Sequence, residues 1–352
     1  MQESLLELLR CPVTRGMLTI NIIKKSKKIL DYQQVEVIEE AVLFAADSWF
    51  YPVIKGVPRL NVEAIIDYAD FLKLAVPDFA ERKKKLLARY AELLSMVEKK
   101  NRRTKESFAQ EWALFNFEED KTWDADANDM LQRFLKETDE TMESIKDKII
   151  FDAGCGNGRL NSLLAENGIT NIAMDFSNSI EKAYLKNTFS KAHFIQGDVQ
   201  FPPLVFEYFN IVHSSGVLIH TTNTELSFSC IEPTVKSGGK LSIWLYHRRD
   251  NIIHNMFNSV RKITSGLPLK FQYYLYYCTF FPVSFIVKRI MGNKQNAREM
   301  MIDILDWLTP EFRWEHDHEE ATTWFYKRDF INVRITTSEV FGFNITGEKR
   351  KI

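Results

Sequence analysis

The stretch Lys148-Ile149-Ile150-Phe151-Asp152-Ala153-Gly154-Cys155-Gly156-Asn157-Gly158-Arg159 decides how this chain folds. Ile149 to Phe151 is a short apolar run of the kind that is buried on both faces of a parallel sheet. Three alternating glycines follow, then an amphipathic helix from Leu160 to Asn167, closed by Gly168. Glycines belong where a strand turns sharply into a helix and a ligand must approach bare backbone. Beyond them the helix N-terminus presents unpaired N–H groups and a partial positive charge. A dinucleotide site takes G-x-G-x-x-G, whereas here the glycines stand at 154, 156 and 158, with Asp152 two residues ahead.

That D-x-G-x-G-x-G spacing resembles motif I of the class I S-adenosylmethionine-dependent methyltransferases. Further pieces come in the order of that family. Asn171-Ile172-Ala173-Met174-Asp175 reads as a second strand ending in an acid, with Ser177 as N-cap of the next helix. Phe194-Ile195-Gln196-Gly197-Asp198-Val199 ends a third strand. Phe209 to His220 resembles the fourth strand and its exit loop, and Val235 to Trp244 a helix stop and fifth strand. The resemblance implies S-adenosyl-L-methionine as cofactor. It implies Asp152 near the methionine ammonium, Gly154, Gly156 and Gly158 along the amino acid and ribose, Asp175 on the ribose hydroxyls and Asp198 on the adenine amino group. Phe176, Val199 and Ser214 would stand beside them. A carboxylate at the ribose position accepts two hydroxyl hydrogen bonds, which a neutral side chain does less well. The implied fold is α/β: a Rossmann-like, seven-stranded, mostly parallel sheet with helices on both faces.

With 352 residues the chain exceeds one typical domain, so a core domain with appendages is expected. Its 45% apolar fraction supports a sizeable core, and a net charge of −1 offers no global attraction to nucleic acid or anionic membrane. Cys11, Cys155, Cys230 and Cys278 show no framework spacing, which suits a reducing, cytoplasmic setting. The first residues carry no basic segment leading into an apolar one, so no secretion signal is expected.

Residues 1–62 combine Leu5-Leu6-Glu7-Leu8-Leu9-Arg10-Cys11-Pro12 with Tyr51-Pro52-Val53-Ile54-Lys55-Gly56-Val57-Pro58-Arg59-Leu60. Together these resemble the small zinc-ribbon-like, methyltransferase-activator-like domain that accompanies several methyltransferases. Here Thr14 stands where a second cysteine ligand would, and no other cysteine precedes Cys155. One thiolate does not make a tetrahedral zinc site, so the module is read as metal-free. Residues 63–105 read as a polar helical linker, with interspersed glutamates and no stacking pattern to favour RNA. The catalytic domain is placed at 106–352. In the resembling family aromatics of its helical lead-in often lie over the cofactor; Phe108 and Trp112 share one helix face at i, i+4.

An insertion of about 248–314 is rich in Phe and Tyr and is read as a helical cap over an apolar acceptor pocket, which keeps water from the transfer. Pro282 and four tyrosines argue against a membrane span, while contact with a membrane surface stays open. Asp306-Trp307-Leu308-Thr309-Pro310-Glu311-Phe312-Arg313-Trp314-Glu315-His316 resembles a segment of some small-molecule methyltransferases; Tyr246, Trp307, Arg313 and Trp314 are the candidate acceptor-binding residues. Arg313 would suit a carboxylate or phosphate. His316-Asp317-His318-Glu319 reads as the acidic first turn of a helix rather than a metal site, and no metal is assigned.

Methyl transfer from a sulfonium is a direct displacement, needing alignment and exclusion of water. A hydroxyl or carbon acid acceptor would be helped by a general base, and the candidates are His220 and His247, at the exits of strands four and five. A small-molecule acceptor is the expected partner. The rivals are an RNA or protein methyltransferase and a non-catalytic cofactor-binding scaffold. Against the first, Ser214-Ser215-Gly216-Val217 is not the N-P-P-Y type used on exocyclic base amines.

Overall fold

The computed structural model describes residues 1–46, 48–101, 127–250, 252–293 and 295–351. Strand β1 (Leu18–Leu30), β2 (Gln33–Ala45), β3 (Phe50–Ile54) and β4 (Val57–Pro58) form an antiparallel sheet in that order. Helices α1 (Ala64–Asp67), α2 (Ala69–Ala75), α3 (Phe79–Arg89) and α4 (91–101) occupy the expected linker. Their inner sides are apolar and buried, through Ile65, Leu72, Val76, Leu86, Leu94 and Val97, which is why a polar-looking stretch holds still.

After α5 (Ala127–Thr138) and α6 (Met142–Ile145) comes the main sheet. It is built from β5 (Ile149–Ala153), β6 (Thr170–Asp175), β7 (Ala192–Gln196), β8 (Phe209–Ser215), β9 (Val235–His247), β11 (Phe330–Ser338) and β12 (Gly342–Lys349), in the order β11-β12-β9-β8-β5-β6-β7. β9, β8, β5, β6 and β7 are parallel; β12 runs antiparallel to β9, and β11, antiparallel to β12, runs in the common direction again. A two-residue strand, β10 (Glu315–His316), also pairs with β9, so the sheet has eight strands where the resemblance implied seven. Helices α7 (Arg159–Glu166), α8 (Ser179–Lys186), α9 (Thr224–Ile231) and α13 (His318–Tyr326) link the strands. Between β9 and β10 stand α10 (Ile252–Thr264), α11 (Leu269–Ile290) and α12 (Ala297–Leu308), the helices of the insertion.

The N-terminal sheet closes the exposed edge of the main one. The Leu60 amide donates to the Gln196 carbonyl of β7 at 2.8 Å, and the Arg10 amide to Pro203 at 2.9 Å. Arg59, 1% exposed, meets Glu181 of α8 at 2.8 Å. One apolar cluster runs from Met1, Leu9 and Trp49 to Phe151, Val212 and Ile345, so both sheets share a core. The contact caps the carboxyl end of the edge strand β7, at Gln196. Cys11 is buried with its Sγ 3.3 Å from the Tyr51 hydroxyl.

Candidate active site

The site is built at the carboxyl ends of β5, β6, β7 and β8, where an open parallel sheet leaves a crevice. One cavity there is lined by Asp152, Gly154, Gly156, Asp175, Phe176, Asp198 and Val199, and it continues to Ser215, Gly216, His220, Asp306 and Phe312. Gly154 has φ +101°, and a Cβ on it would sit 2.3 Å from Val217 Cγ2, so the turn and the loop after β8 close on each other only with glycine here. Gly158, φ +69°, does not line the cavity; a Cβ there would meet Ala183 at 2.7 Å, and its part is to let α7 pack against α8.

Asp175 at the end of β6 accepts from the Ser177 amide at 2.8 Å and hydroxyl at 2.6 Å on Oδ1, and from the Gly156 amide at 2.9 Å on Oδ2. Burial pushes its carboxyl up, against the pull of those hydrogen bonds. The glycine turn and the acid are thus one unit. Ser177, expected as an N-cap, serves this carboxylate instead, and the residue before α8 is Asn178, which makes no side-chain cap bond. Asp198 receives Lys100 Nζ at 2.9 Å, Asn101 Nδ2 at 3.3 Å and the Gln200 amide at 2.8 Å. Lys100 and Asn101 of α4 therefore reach the site. Cys155 also lines the cavity, and burial together with Asp175 and Asp152 keeps its thiol protonated.

Asp152 belongs to a buried cluster with His213 and Glu137, both of which also line the cavity and neither of which was a candidate from sequence. Asp152 on β5 and His213 on β8 are register partners in neighbouring parallel strands. His213 Nδ1 stands 3.2 Å from Asp152 Oδ1, and its Nε2 2.7 Å from Glu137 Oε2 on α5. Burial disfavours the imidazolium, but the two carboxylates outweigh it and raise the pKa to about 9. Burial likewise works against the Glu137 carboxylate, and His213 with Arg133 still holds it below its ordinary range. Arg133 Nε donates to Glu137 Oε1 at 2.7 Å. The Glu137 carbonyl receives Ser242 Oγ, Thr336 Oγ1 and Asn344 Nδ2 at 2.9, 2.9 and 2.7 Å, which ties the end of α5 to β9, β11 and β12. A histidine directly after the apolar pair Ile211-Val212 of a buried strand was the available signal, though its partner on α5 is 76 residues away.

The other candidates divide. His220, at the end of a 3-10 turn (Leu218–His220), lines the cavity with its Nδ1 3.0 Å from the Phe312 carbonyl. His247 does not: it lies on the opposite face of β9, 3.3 Å from Ser338 Oγ, with its ring tilted against those of His318 and Phe343. Successive strand residues point to opposite faces, so Tyr246 facing the cap turns His247 away. The same alternation corrects Ser214, whose Oγ donates to Ala153 O at 2.7 Å inside the sheet while Ser215 lines the cavity.

Tyr246, Trp307, Arg313 and Trp314 stand behind the lining rather than in it. Arg313 lies 3.9 Å over the Tyr246 ring and 4.8 Å over Trp307, and is paired with Glu315. Trp314 donates through Nε1 to Thr221 O at 2.8 Å. The side chains that reach the cavity from this segment are Asp306, whose Oδ2 receives the Tyr246 hydroxyl at 3.2 Å, and Phe312. Trp112 and Phe108 lie outside the described residues. Among the described residues no group of three His, Cys, Asp or Glu could hold a metal ion.

Asp152, Asp175 and Asp198 line the cavity with Phe176 and Val199, and three carboxylates there suit a long ligand that donates to each of them. An ammonium, a pair of ribose hydroxyls and an adenine amino group are such donors. The fold is that of a Rossmann-like α/β protein, and the cavity's chemistry fits such a ligand.

Residues 151–243 match the family model described as a methyltransferase domain, and the chain is a methyltransferase that uses S-adenosylmethionine. No curated protein matches the chain. Among solved structures it is similar to magnesium protoporphyrin IX methyltransferase from Synechocystis PCC 6803 with bound SAH. That likeness has 13% identity over 71% of this chain and 97% of the other, with a TM-score of 0.40. It is also similar to a SAM-dependent methyltransferase from Methanosarcina mazei, with 14% identity over 59% and 94% and a TM-score of 0.37.

Asp175→Ala is expected to weaken S-adenosylhomocysteine binding by about 1–3 kcal/mol, through ribose hydroxyls left without an acceptor. Titration calorimetry measures it; unchanged affinity would remove Asp175 from the ribose site.

Proposed function

We propose that the enzyme methylates a small-molecule acceptor held between the loop after β8 and the cap helix α12, with His220 taking the acceptor's proton. The observation that carries the reading is the position of His220, 5% exposed and lining the same cavity as Asp152, Gly154 and Asp306. Bound, the cofactor supplies an electrophilic methyl carbon on a sulfonium. Asp152, Asp175 and Asp198 orient it, and the residues around His220 bring the acceptor in line while keeping water out. Burial first, then the Arg313 and Arg261 charges, hold His220 down to about 4, so the imidazole is neutral near pH 7. The neutral ring donates from Nδ1 to the Phe312 carbonyl, which puts its lone pair on Nε2. Asp306, raised to about 6 chiefly by burial, stays bonded to Tyr246 and closes the wall opposite.

The lining carries the carboxylates Glu137, Asp152, Asp175, Asp198 and Asp306, which suit a small acceptor better than a polyanion such as RNA. The test is transfer of labelled methyl from S-adenosylmethionine into a cell extract, followed by fractionation and mass analysis. Label in a small-molecule fraction is expected. Label confined to RNA or protein would overturn this reading.

A further inference from the structure

The outer side of the cap does not look like a surface made for water. Tyr276 of α11 is wholly buried, with its hydroxyl 2.7 Å from Thr264 Oγ1 and 3.0 Å from the Leu308 carbonyl. Those contacts pin α10, α11 and α12 into one unit around Tyr276, Met301, Ile304 and Leu305. Away from that core, Phe271, Tyr274, Val283, Ile286 and Ile290 are 56%, 67%, 63%, 59% and 81% exposed. Such a run of exposed apolar side chains marks an interaction surface rather than the scatter usual on a monomer.

Charge identifies what covers it. From Ile252 to Ile290 there are Arg261, Lys262, Lys270, Lys288 and Arg289 and not one Asp or Glu, in a chain whose net charge is −1. Arg261 is buried and Lys288 is paired with Asp303; Lys262 at the end of α10 and Lys270 at the start of α11 are exposed, and at the far end of α11 the exposed Arg289 bonds only carbonyls, those of Asn293 and Gln295, at 3.1 Å each. A 22-residue helix is about 33 Å long, so apolar and aromatic groups lie between two cationic ends. No helix among the described residues is long and apolar enough to cross a membrane. A helix with exposed apolar groups, tyrosines and unopposed cations lies in a lipid–water interface instead.

We infer that the outer face of α10–α11 docks on the surface of an anionic lipid bilayer. Apolar side chains enter the boundary between headgroups and acyl chains while Lys262, Lys270 and Arg289 meet lipid phosphates. The same pinned unit carries Asp306 on α12 into the catalytic cavity, so the docked element and the acceptor wall are one piece.

The experiment is flotation of the full-length protein with vesicles of phosphatidylglycerol and phosphatidylcholine in equal parts, and with phosphatidylcholine alone. Binding to the mixed vesicles and not to the neutral ones is expected, falling as salt is raised. Lys262→Glu with Lys270→Glu should cut the bound fraction about tenfold or more. Phe271→Ser with Ile286→Ser should do the same through lost apolar burial. Both pairs are surface changes, and unaltered melting curves would show that the fold is intact. Failure to float with either vesicle, or equal flotation with both, would overturn the inference. So would a concentration-dependent dimer that Ile286→Ser abolishes, since a second copy would then be the occupant.

Discussion

Replacing His213 with leucine is expected to lower the unfolding free energy by about 3–5 kcal/mol, because Glu137 and Asp152 are then left buried without the cation between them. Leucine roughly keeps the volume, so the loss reads charge and hydrogen bonding rather than a cavity. The pH dependence gives the signature. The folded pKa of His213, about 9, lies above its ordinary 6.5. Its stabilisation is therefore complete below about 6.5 and is lost as pH rises through about 9. The gap between wild type and His213→Leu should be largest near pH 6–7 and shrink toward pH 10. Glu137 works in the other direction: its folded pKa is depressed, so its share is present above the ordinary carboxylate range and fades on acidification. Denaturant unfolding across this range measures both. Equal stabilities, or a gap that does not change with pH, would refute the assignment of a protonated His213. The same substitution should also weaken S-adenosylhomocysteine binding, since Asp152 loses the partner that aims it.

Turnover is expected to fall about 10²–10⁴-fold in His220→Ala, the usual share of a general base, while cofactor affinity stays near that of the wild type. A base acts only when unprotonated, so activity rises with pH through its pKa. With His220 in that role, the acid limb of kcat/KM belongs near pH 4. Were Asp306 the base, the limb would fall near pH 6 and vanish in Asp306→Asn. The two profiles are far enough apart to be told from each other in one titration of rate. Full turnover in His220→Ala, or a limb at 6 that follows Asp306, would end the proposal for His220. His247→Ala, remote from the cavity, is the control and should leave turnover unchanged.

Docking on lipid and methyl transfer are separable in these experiments. A vesicle result reads the outside of α11, and the histidine and aspartate variants read the inside of the cavity. What joins them is the Tyr276 core, which gives α11 and α12 a single position.

The strands and the turn that line the cavity are legible in the amino-acid sequence alone. An apolar run ending in Asp152, glycines at 154 and 156, and acids closing the second and third strands are local patterns, and local patterns survive in one dimension. The cap helices and the final hairpin were legible for the same reason, since periodicity and breakers lie within a few residues. Tertiary structure decided everything that depended on which face a strand turns inward. Ser215 rather than Ser214, and Tyr246 with its back to His247, follow from a period of two whose phase only sheet packing sets. It also decided contacts between distant segments: Glu137 beneath His213, Lys100 and Asn101 on Asp198, and Asp306 and Phe312 in place of Trp307 and Arg313 at the cavity wall. Such pairs leave no spacing rule to read, because buried charges meet wherever the fold brings opposite signs together and each is stable only once its partner has arrived.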